Sequence, residues 1–211
     1  MKKTVWIIII ILALLVSIIP WTYLSSIPQG FLEMKEVTTL KNPFWNIGFY
    51  THIFSGSIAI AIGWIQFSKK VLKTKKPWHR TVGKTYVLTA LSCSFAGLFI
   101  GFWASGGVFA RLGFSTGAIL FFTSTLLGYS YIRSGNVIHH QNMMRYSYAM
   151  CLGAVNLRLF MTILMLIFND YDMVYAMISW LSWIPNLIIA YWINKKQASA
   201  SRINELVLLK Q

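Results

Sequence analysis

The stretch HHQNMMRYSYAMCLGAVNLR, residues 139–158, begins with two histidines, continues as an apolar helix and ends on an arginine. At the helical period, one of its faces carries residues at steps of four and three, namely His140, Met144, Ser147, Cys151, Ala154 and Arg158. Ionisable side chains at membrane depth are costly and normally face the protein interior or a water-filled cavity. The stretch therefore predicts a membrane-crossing helix with a polar face directed into the protein.

The whole chain has the composition of an integral membrane protein. Of its 211 residues, 56% are hydrophobic and 11% are charged, whereas a soluble domain averages about 25% charged residues. Because the apolar residues lie in long runs, we predict an all-α, integral membrane six-helix bundle. The net charge of +14 does not indicate nucleic-acid binding, because the basic residues cluster at the ends of the apolar runs.

The apolar runs also predict the domain organisation. We expect a first transmembrane helix at residues 1–20, an external loop at 21–44, a five-helix transmembrane core at 45–193 and a basic cytoplasmic tail at 194–211. The first run has the charged start and short apolar core of a signal peptide, but no small-x-small cleavage site follows it, which favours an uncleaved signal anchor. Pro185 is expected to kink the last span and free a backbone carbonyl.

The distribution of basic residues predicts that both termini are cytoplasmic. With this orientation the inner segments hold 15 Lys or Arg residues and the outer loops hold three, while Arg158 lies within the membrane. The outer loops also hold four of the five acidic residues, Glu33, Glu36, Asp170 and Asp172. Under the positive-inside rule, this bias indicates a multi-pass cell-membrane protein with its N- and C-termini inside.

The acidic residues also limit the chemistry. No Asp or Glu lies within a predicted span, which argues against a buried carboxylate proton relay and against a two-carboxylate hydrolase. Both cysteines, Cys93 and Cys151, fall inside apolar runs, so neither a disulfide framework nor a cysteine-rich metal site is indicated. The polar groups that remain are histidines, arginines and amides.

A predicted inner cluster lies at the cytoplasmic ends of the third and fifth spans and consists of His79, His139, His140 and Arg145. Imidazoles from neighbouring helices can bind a metal or bracket a haem b iron, with Arg145 paired to a propionate. Alternatively, these residues contact lipid phosphates at the headgroup level, as the adjacent basic loop does. His139 and His140 differ by about 100° around the helix, and sharing a face with Arg158 favours His140.

A predicted outer cluster consists of His52 and Arg158, together with Asn156 or Asn186. Arg158 lies about 27 Å further along its helix than the inner histidines, in the outer leaflet. Such a cluster can bind a quinone head, an anion or a metal, with Arg158 as a fixed positive charge and His52 as a hydrogen-bond partner that exchanges a proton. The alternative is structural: Arg158 extends to the outer interface or bonds the carbonyl freed by Pro185.

Four stretches in combination resemble a large bacterial family of multi-pass predicted membrane proteins of unknown function. They are FYTHIFSGSIAIAIGWIQF, KPWHRTVGKTYVL, HHQNMMRYSYAMCLGAVNLRL and WLSWIPNLIIA, and the resemblance covers about residues 45–193. The family pattern matches His52, His79 with Arg80, Arg158, and Pro185 with Asn186. Its His-x-x-x-Met-x-Arg step falls on His139, Met143 and Arg145, so the resemblance and the helical face favour different histidines.

Two main classes of function stay open. The first is a non-catalytic membrane protein that binds or carries a small ligand or a metal, or that assists a membrane complex. Such a protein would act with a membrane-protein partner or as a homo-oligomer. The second is a membrane redox protein that binds one haem b or a quinol. A loose similarity to b-type membrane cytochromes implies at most one, inner, haem, because the paired histidines of diheme cores are missing. An intramembrane enzyme acting on a lipid is a third class, for which the sequence shows no nucleophile–base pair. Membrane lipids are expected contacts in every case.

Overall fold

The computed structural model describes residues 3–24, 32–33 and 35–208, with side chains up to residue 199. Parts of the predicted external loop (25–31 and 34) and of the predicted tail (209–211) lie outside the described residues. Within the described ranges the chain is helical and contains no strand. The helices are α1 (Lys3–Ile18), α2 (Val37–Leu40), α3 (Pro43–Gly63), α4 (Lys69–Thr74), α5 (Lys76–Gly101), α6 (Gly107–Arg133), α7 (Val137–Cys151), α8 (Gly153–Phe168), α9 (Tyr171–Leu181) and α10 (Ile184–Leu208).

The described residues contain six helical segments that are long and apolar enough to cross a membrane. They are Lys3–Leu24, Pro43–Phe67, Lys76–Gly101, Gly107–Arg133, Val137–Phe168 and Tyr171–Ser199. The predicted all-α architecture with six spans is confirmed, while the cytoplasmic placement of the termini stays a prediction. We call the end of the bundle that carries Trp45, Trp103 and Tyr171 the outer end, following that predicted orientation.

The last two spans are each divided into two helices. The sixth is interrupted at Ser182 and Trp183, just before the proline that predicted a kink. The fifth is interrupted at Leu152, between α7 and α8, which the sequence pattern did not predict. The two interruptions face each other, because a Cβ on Gly153 would lie 3.3 Å from the carbonyl oxygen of Ser182.

The centre of the bundle is built around a chain of buried hydroxyls. Tyr86 on α5 and Thr125 on α6 both hydrogen-bond the hydroxyl of Ser147 on α7, at 2.8 and 2.7 Å. Each of these side chains is buried, and Thr125 also donates to the carbonyl of Phe121 at 2.7 Å. Because water is absent from the hydrocarbon region, these mutual hydrogen bonds satisfy polar groups that would otherwise be unpaired.

The described part of the external loop is attached to the outer end. The Lys35 ammonium donates to the carbonyl of Trp103 at 2.7 Å and to the hydroxyl of Ser105 at 3.1 Å. Burial, followed by the nearby positive charge of Arg111, lowers the pKa of Lys35 below its usual value. Leu32 packs in a cluster with buried aromatic side chains of α3. The loop therefore covers part of the outer end of the bundle.

Candidate functional site

A cavity of about 740 Å³ opens inside the bundle. It extends from Lys35 and Ala104 at the outer end to Cys151 and Phe121, which lie halfway along their spans. Most of its wall is apolar and comes from α1, α3, α5, α6, α8 and α9, and its polar lining includes Tyr23, Glu33, Lys35, His52, Ser57, Ser94, Arg158, Thr162, Tyr171, Tyr175 and Ser182. A large, mostly apolar cavity with few polar groups is the usual form of a small-molecule site.

His52 lines this cavity from α3 and is held in one orientation by α5. Its Nδ1 lies 2.8 Å from the carbonyl oxygen of Cys93 and 3.5 Å from the sulfur of the same residue. The ring packs directly against Gly97, where a Cβ would lie 2.8 Å from Nδ1. Because a carbonyl only accepts, Nδ1 carries the proton, and in the neutral ring Nε2 is the acceptor.

Arg158 lines the same cavity from α8. Its Nη1 donates to the carbonyl of Ala154, one turn earlier, at 2.9 Å. Among the described residues it makes no other hydrogen bond, and no carboxylate pairs with it. His52 lies within electrostatic range of Arg158, as does Tyr23. The structure thus brings together the two charged or ionisable members of the predicted outer cluster.

The amides predicted for the outer cluster are arranged differently. Asn156 donates through Nδ2 to Oδ1 of Asn186 at 2.9 Å, and Asn186 donates through Nδ2 to the carbonyl of Ala149 at 3.1 Å. That carbonyl lies in the last turn of α7, where intrahelical partners are lost. The two amides therefore join the interrupted fifth and sixth spans, and neither is among the residues that line the cavity. Arg158 bonds its own helix and not the carbonyl freed by Pro185.

Arg145 of the predicted inner cluster takes part in hydrogen bonds that join two helices. Its Nη1 donates to Oδ1 of Asn142 at 2.8 Å and to Oδ1 of Asn194 at 2.7 Å. Its Nη2 lies 3.5 Å from Oε1 of Gln141. Because Asn194 belongs to α10, these bonds hold α7 against the last helix at the inner end.

The two histidines at the start of α7 point in different directions. His140 is half-buried and donates from Nδ1 to the carbonyl of Gly128 on α6, at 2.8 Å. His139 is exposed, bonds Oδ1 of Asn136 at 2.9 Å and lies beside the ring of Tyr131. This geometry agrees with the shared helical face, which favours His140 over His139. The histidine favoured by the family pattern, His139, faces away from the bundle.

His79 and His140 are within electrostatic range of each other, but the inner cluster does not form a three-ligand metal group. Among the described residues no three His, Cys, Asp or Glu side chains could hold a metal together. The Gln66 amide lies beside His79: with its nitrogen turned toward the ring, it donates to Nδ1 of His79 at 3.3 Å while its oxygen accepts from the backbone N–H of Gly83 at 3.2 Å. Binding of a haem by the inner cluster stays a prediction.

Two further residues of the cavity were not singled out by the sequence. The Nε1 atom of Trp45 and the hydroxyl of Tyr171 are buried without a hydrogen-bond partner, and both residues line the cavity. Aromatic residues at the ends of spans are ordinarily interface anchors. Only the structure shows that the polar atoms of these two are enclosed.

The fold is that of a multi-pass helical membrane protein, and a cavity inside its bundle is lined by a few polar side chains. The chain belongs to the family described as Predicted membrane protein (DUF2306), whose model matches residues 49–193. The family resemblance identified from the sequence motifs is thereby confirmed. No curated protein and no solved structure shows a significant match to the chain.

Proposed function

We propose that the protein binds a small lipid-soluble amphiphile in the cavity, with an anionic head at Arg158 and His52 and a hydrocarbon part against the apolar wall. The observation that carries this proposal is Arg158, which lines a cavity of about 740 Å³ and, within the described part of the chain, makes a single hydrogen bond, to its own helix. The family match supports a membrane protein and assigns no ligand.

The charge of Arg158 favours an anionic ligand over a neutral one. A buried guanidinium without a counter-ion loses hydration energy that nothing in the protein restores. Arginine is a rigid, multiple donor that matches the oxygens of carboxylates and phosphates. Because one bond to Ala154 leaves its other N–H groups available, an anionic head would satisfy them and neutralise the charge at once.

His52 adds a second contact for the head. With Nδ1 held by the carbonyl of Cys93, the neutral ring accepts a hydrogen bond at Nε2, and the protonated ring donates one. The group can thus bind either a protonated or an ionised oxygen on the ligand. Because the bond to α5 fixes the ring, little side-chain entropy is lost on binding.

The distribution of apolar residues sets the direction of the ligand. The deepest part of the cavity is lined by Ile60, Phe121 and Met150, while charged residues line its outer end. A hydrocarbon chain would therefore lie toward the middle of the bundle, with the head toward the outer end. In the predicted orientation, this is the direction of a lipid in the outer leaflet.

A quinol is the second candidate, favoured by the proton-exchanging position of His52. A hydroxyl oxygen of the quinol can accept from Arg158, and the hydroxyl can exchange its proton with Nε2 of His52. It ranks second because a neutral quinone leaves the arginine without a counter-ion. A small metal carrier and an assembly factor with a protein partner or a second copy of the chain remain predictions that nothing in the geometry favours further.

The test is analysis of the material that copurifies with the protein from membranes. We expect mass spectrometry of gently purified protein to show a stoichiometric anionic amphiphile that Arg158→Met removes and His52→Gln reduces. Arg133→Met is the matched control, because Arg133 is exposed at the inner end of α6 and distant from the cavity. Equal ligand content in wild type and Arg158→Met would refute the proposal. A bound quinone, or a Soret band lost with His79→Ala or His140→Ala, would support the redox alternative instead.

A further inference from the structure

Two polar atoms at the outer end of the cavity have no hydrogen-bond partner in the described part of the chain. They are Nε1 of Trp45 and the hydroxyl oxygen of Tyr171. The Trp45 side chain is 1% exposed, and both residues line the cavity. Buried polar groups in proteins are nearly always paired, so two orphaned atoms beside one cavity require an explanation.

The rings that carry these atoms are fixed by stacking. Trp45 stacks on Phe49 with ring centroids 5.0 Å apart, and Tyr171 stacks on Tyr175 at 5.4 Å. Neither ring can turn its polar atom toward a protein acceptor without breaking its stack and its burial. The positions of the N–H and the hydroxyl are therefore set before a ligand arrives.

The chemistry of the two atoms determines which ligand groups can hydrogen-bond them. An indole N–H only donates, so Trp45 requires an acceptor, and a phenol both donates and accepts. Trp45, Tyr171 and Arg158 all line this one cavity. A single head with several oxygens can thus extend from Arg158 to the outer end.

We propose that Trp45 and Tyr171 form a second hydrogen-bonding subsite that binds the phosphate oxygens of the ligand, which is a lipid with a monoanionic phosphodiester head. This inference rests on the proposed function and names its ligand class. The charged residues that line the cavity are Glu33, Lys35 and Arg158, with a net charge of one positive unit that a phosphodiester balances. A phosphodiester has more acceptor oxygens than a carboxylate, enough for the guanidinium, the indole and the phenol together.

The apolar depth of the cavity selects a lipid over free phosphate. Inorganic phosphate would leave the wall around Ile60, Phe121 and Met150 without a hydrocarbon partner. Burial of acyl carbons contributes binding free energy in proportion to the apolar area removed from water. The head of the lipid therefore provides specificity, and its acyl chain provides most of the binding affinity.

The experiment uses two aromatic variants that each delete one polar atom, and Trp45→Phe also shortens a buried ring system. Trp45→Phe removes the N–H, and Tyr171→Phe removes the hydroxyl, while both keep an aromatic ring to stack. Trp192→Phe and Tyr191→Phe are matched controls at exposed positions on α10. Full-length protein in detergent micelles is stripped of lipid and titrated with short-chain phosphatidylglycerol, decanoate or inorganic phosphate, and bound ligand is counted by native mass spectrometry.

We expect Trp45→Phe and Tyr171→Phe each to weaken phosphatidylglycerol binding by about 3- to 10-fold, the range of one lost hydrogen bond. Decanoate should bind the wild type more weakly and be insensitive to both variants, and the controls should match the wild type. Stripped Tyr171→Phe should melt at or above the wild-type temperature, because it loses only an unpaired atom, whereas the smaller ring in Trp45→Phe leaves a cavity that lowers the melting temperature.

Unchanged phosphatidylglycerol binding in both variants, with loss in Arg158→Met, would overturn this inference and leave the proposed function standing. Unchanged binding in all three would overturn both. Decanoate binding as tightly as phosphatidylglycerol would overturn the phosphodiester class, as would inorganic phosphate competing at equal concentration. A lower melting temperature of stripped Tyr171→Phe would show that its hydroxyl is structural and would also overturn it.

Discussion

Replacing Arg158 by methionine should stabilise the ligand-free protein while it abolishes ligand binding. The guanidinium is largely desolvated, bonds only the carbonyl of Ala154, and has no carboxylate partner among the described residues. An arginine at the centre of a membrane helix costs about 2.5–3.5 kcal/mol. Because Arg158 lies outward of the centre and keeps one hydrogen bond, we expect Arg158→Met to raise the free energy of unfolding by about 1–3 kcal/mol.

This change is large enough to measure by melting. For a chain of this length, a change of about 1 kcal/mol shifts the melting temperature by roughly 2–4 °C, so stripped Arg158→Met should melt about 2–12 °C above the wild type. The fluorescence of the nine tryptophans reports unfolding directly. Arg133→Met is the control, with an expected change within about 0.5 kcal/mol because the side chain is exposed.

The sign of the difference in melting temperature depends on whether the wild type has its ligand bound. With its ligand bound, the wild type should regain or exceed the stability of the variant, because a ligand that binds only the folded state stabilises it. If stripped Arg158→Met melts below the wild type by more than the Arg133→Met control does, the arginine contributes to packing or to a structural hydrogen bond. Such a result would refute the destabilisation of the empty protein by an uncompensated charge at Arg158.

Three further substitutions test the geometry around the site. Gly97→Ala should lower the free energy of unfolding by about 1–3 kcal/mol and weaken ligand binding, because the new Cβ would lie 2.8 Å from Nδ1 of His52. Melting measures the first effect and ligand content the second. Tyr86→Phe should lower the free energy of unfolding by about 1 kcal/mol without changing ligand content, since its hydroxyl bonds Ser147 outside the cavity lining; a loss of ligand would contradict this separation. Asn186→Leu should cost about 1–2 kcal/mol, because it leaves a half-buried amide and a carbonyl unpaired. Melting at the wild-type temperature would show that these bonds do not join the interrupted spans.

The six spans could be predicted because the membrane fixes their length and composition. The interruption at Leu152 could not, because no proline or glycine pair marks it and the apolar pattern continues through it. Its cause is tertiary: Gly153 packs against the carbonyl of Ser182. The sixth span was easier, since Pro185 marks its interruption in the sequence.

The convergence of His52 and Arg158 could be predicted because the same cost that makes such groups rare in membranes directs them inward. Their exact partners could not, because the carbonyl of Cys93 leaves no signal in a sequence. The roles of the amides were missed for the same reason. Asn156 and Asn186 are as polar as a ligand-binding pair, and only their mutual hydrogen bond shows that they are occupied.

Both the sequence and the structure show more hydrogen-bond donors than acceptors around Arg158. The predicted spans contain no acidic residue, although one carboxylate beside Arg158 would neutralise it and pair its N–H groups. Such a residue would stabilise the protein permanently and occupy the position that an anionic head requires. Among the described residues Glu33 lines the cavity, but no carboxylate pairs with Arg158 and the indole N–H of Trp45 has no acceptor. A site with such surplus donors is unstable when empty, and its stability then depends on a ligand that supplies the missing oxygens.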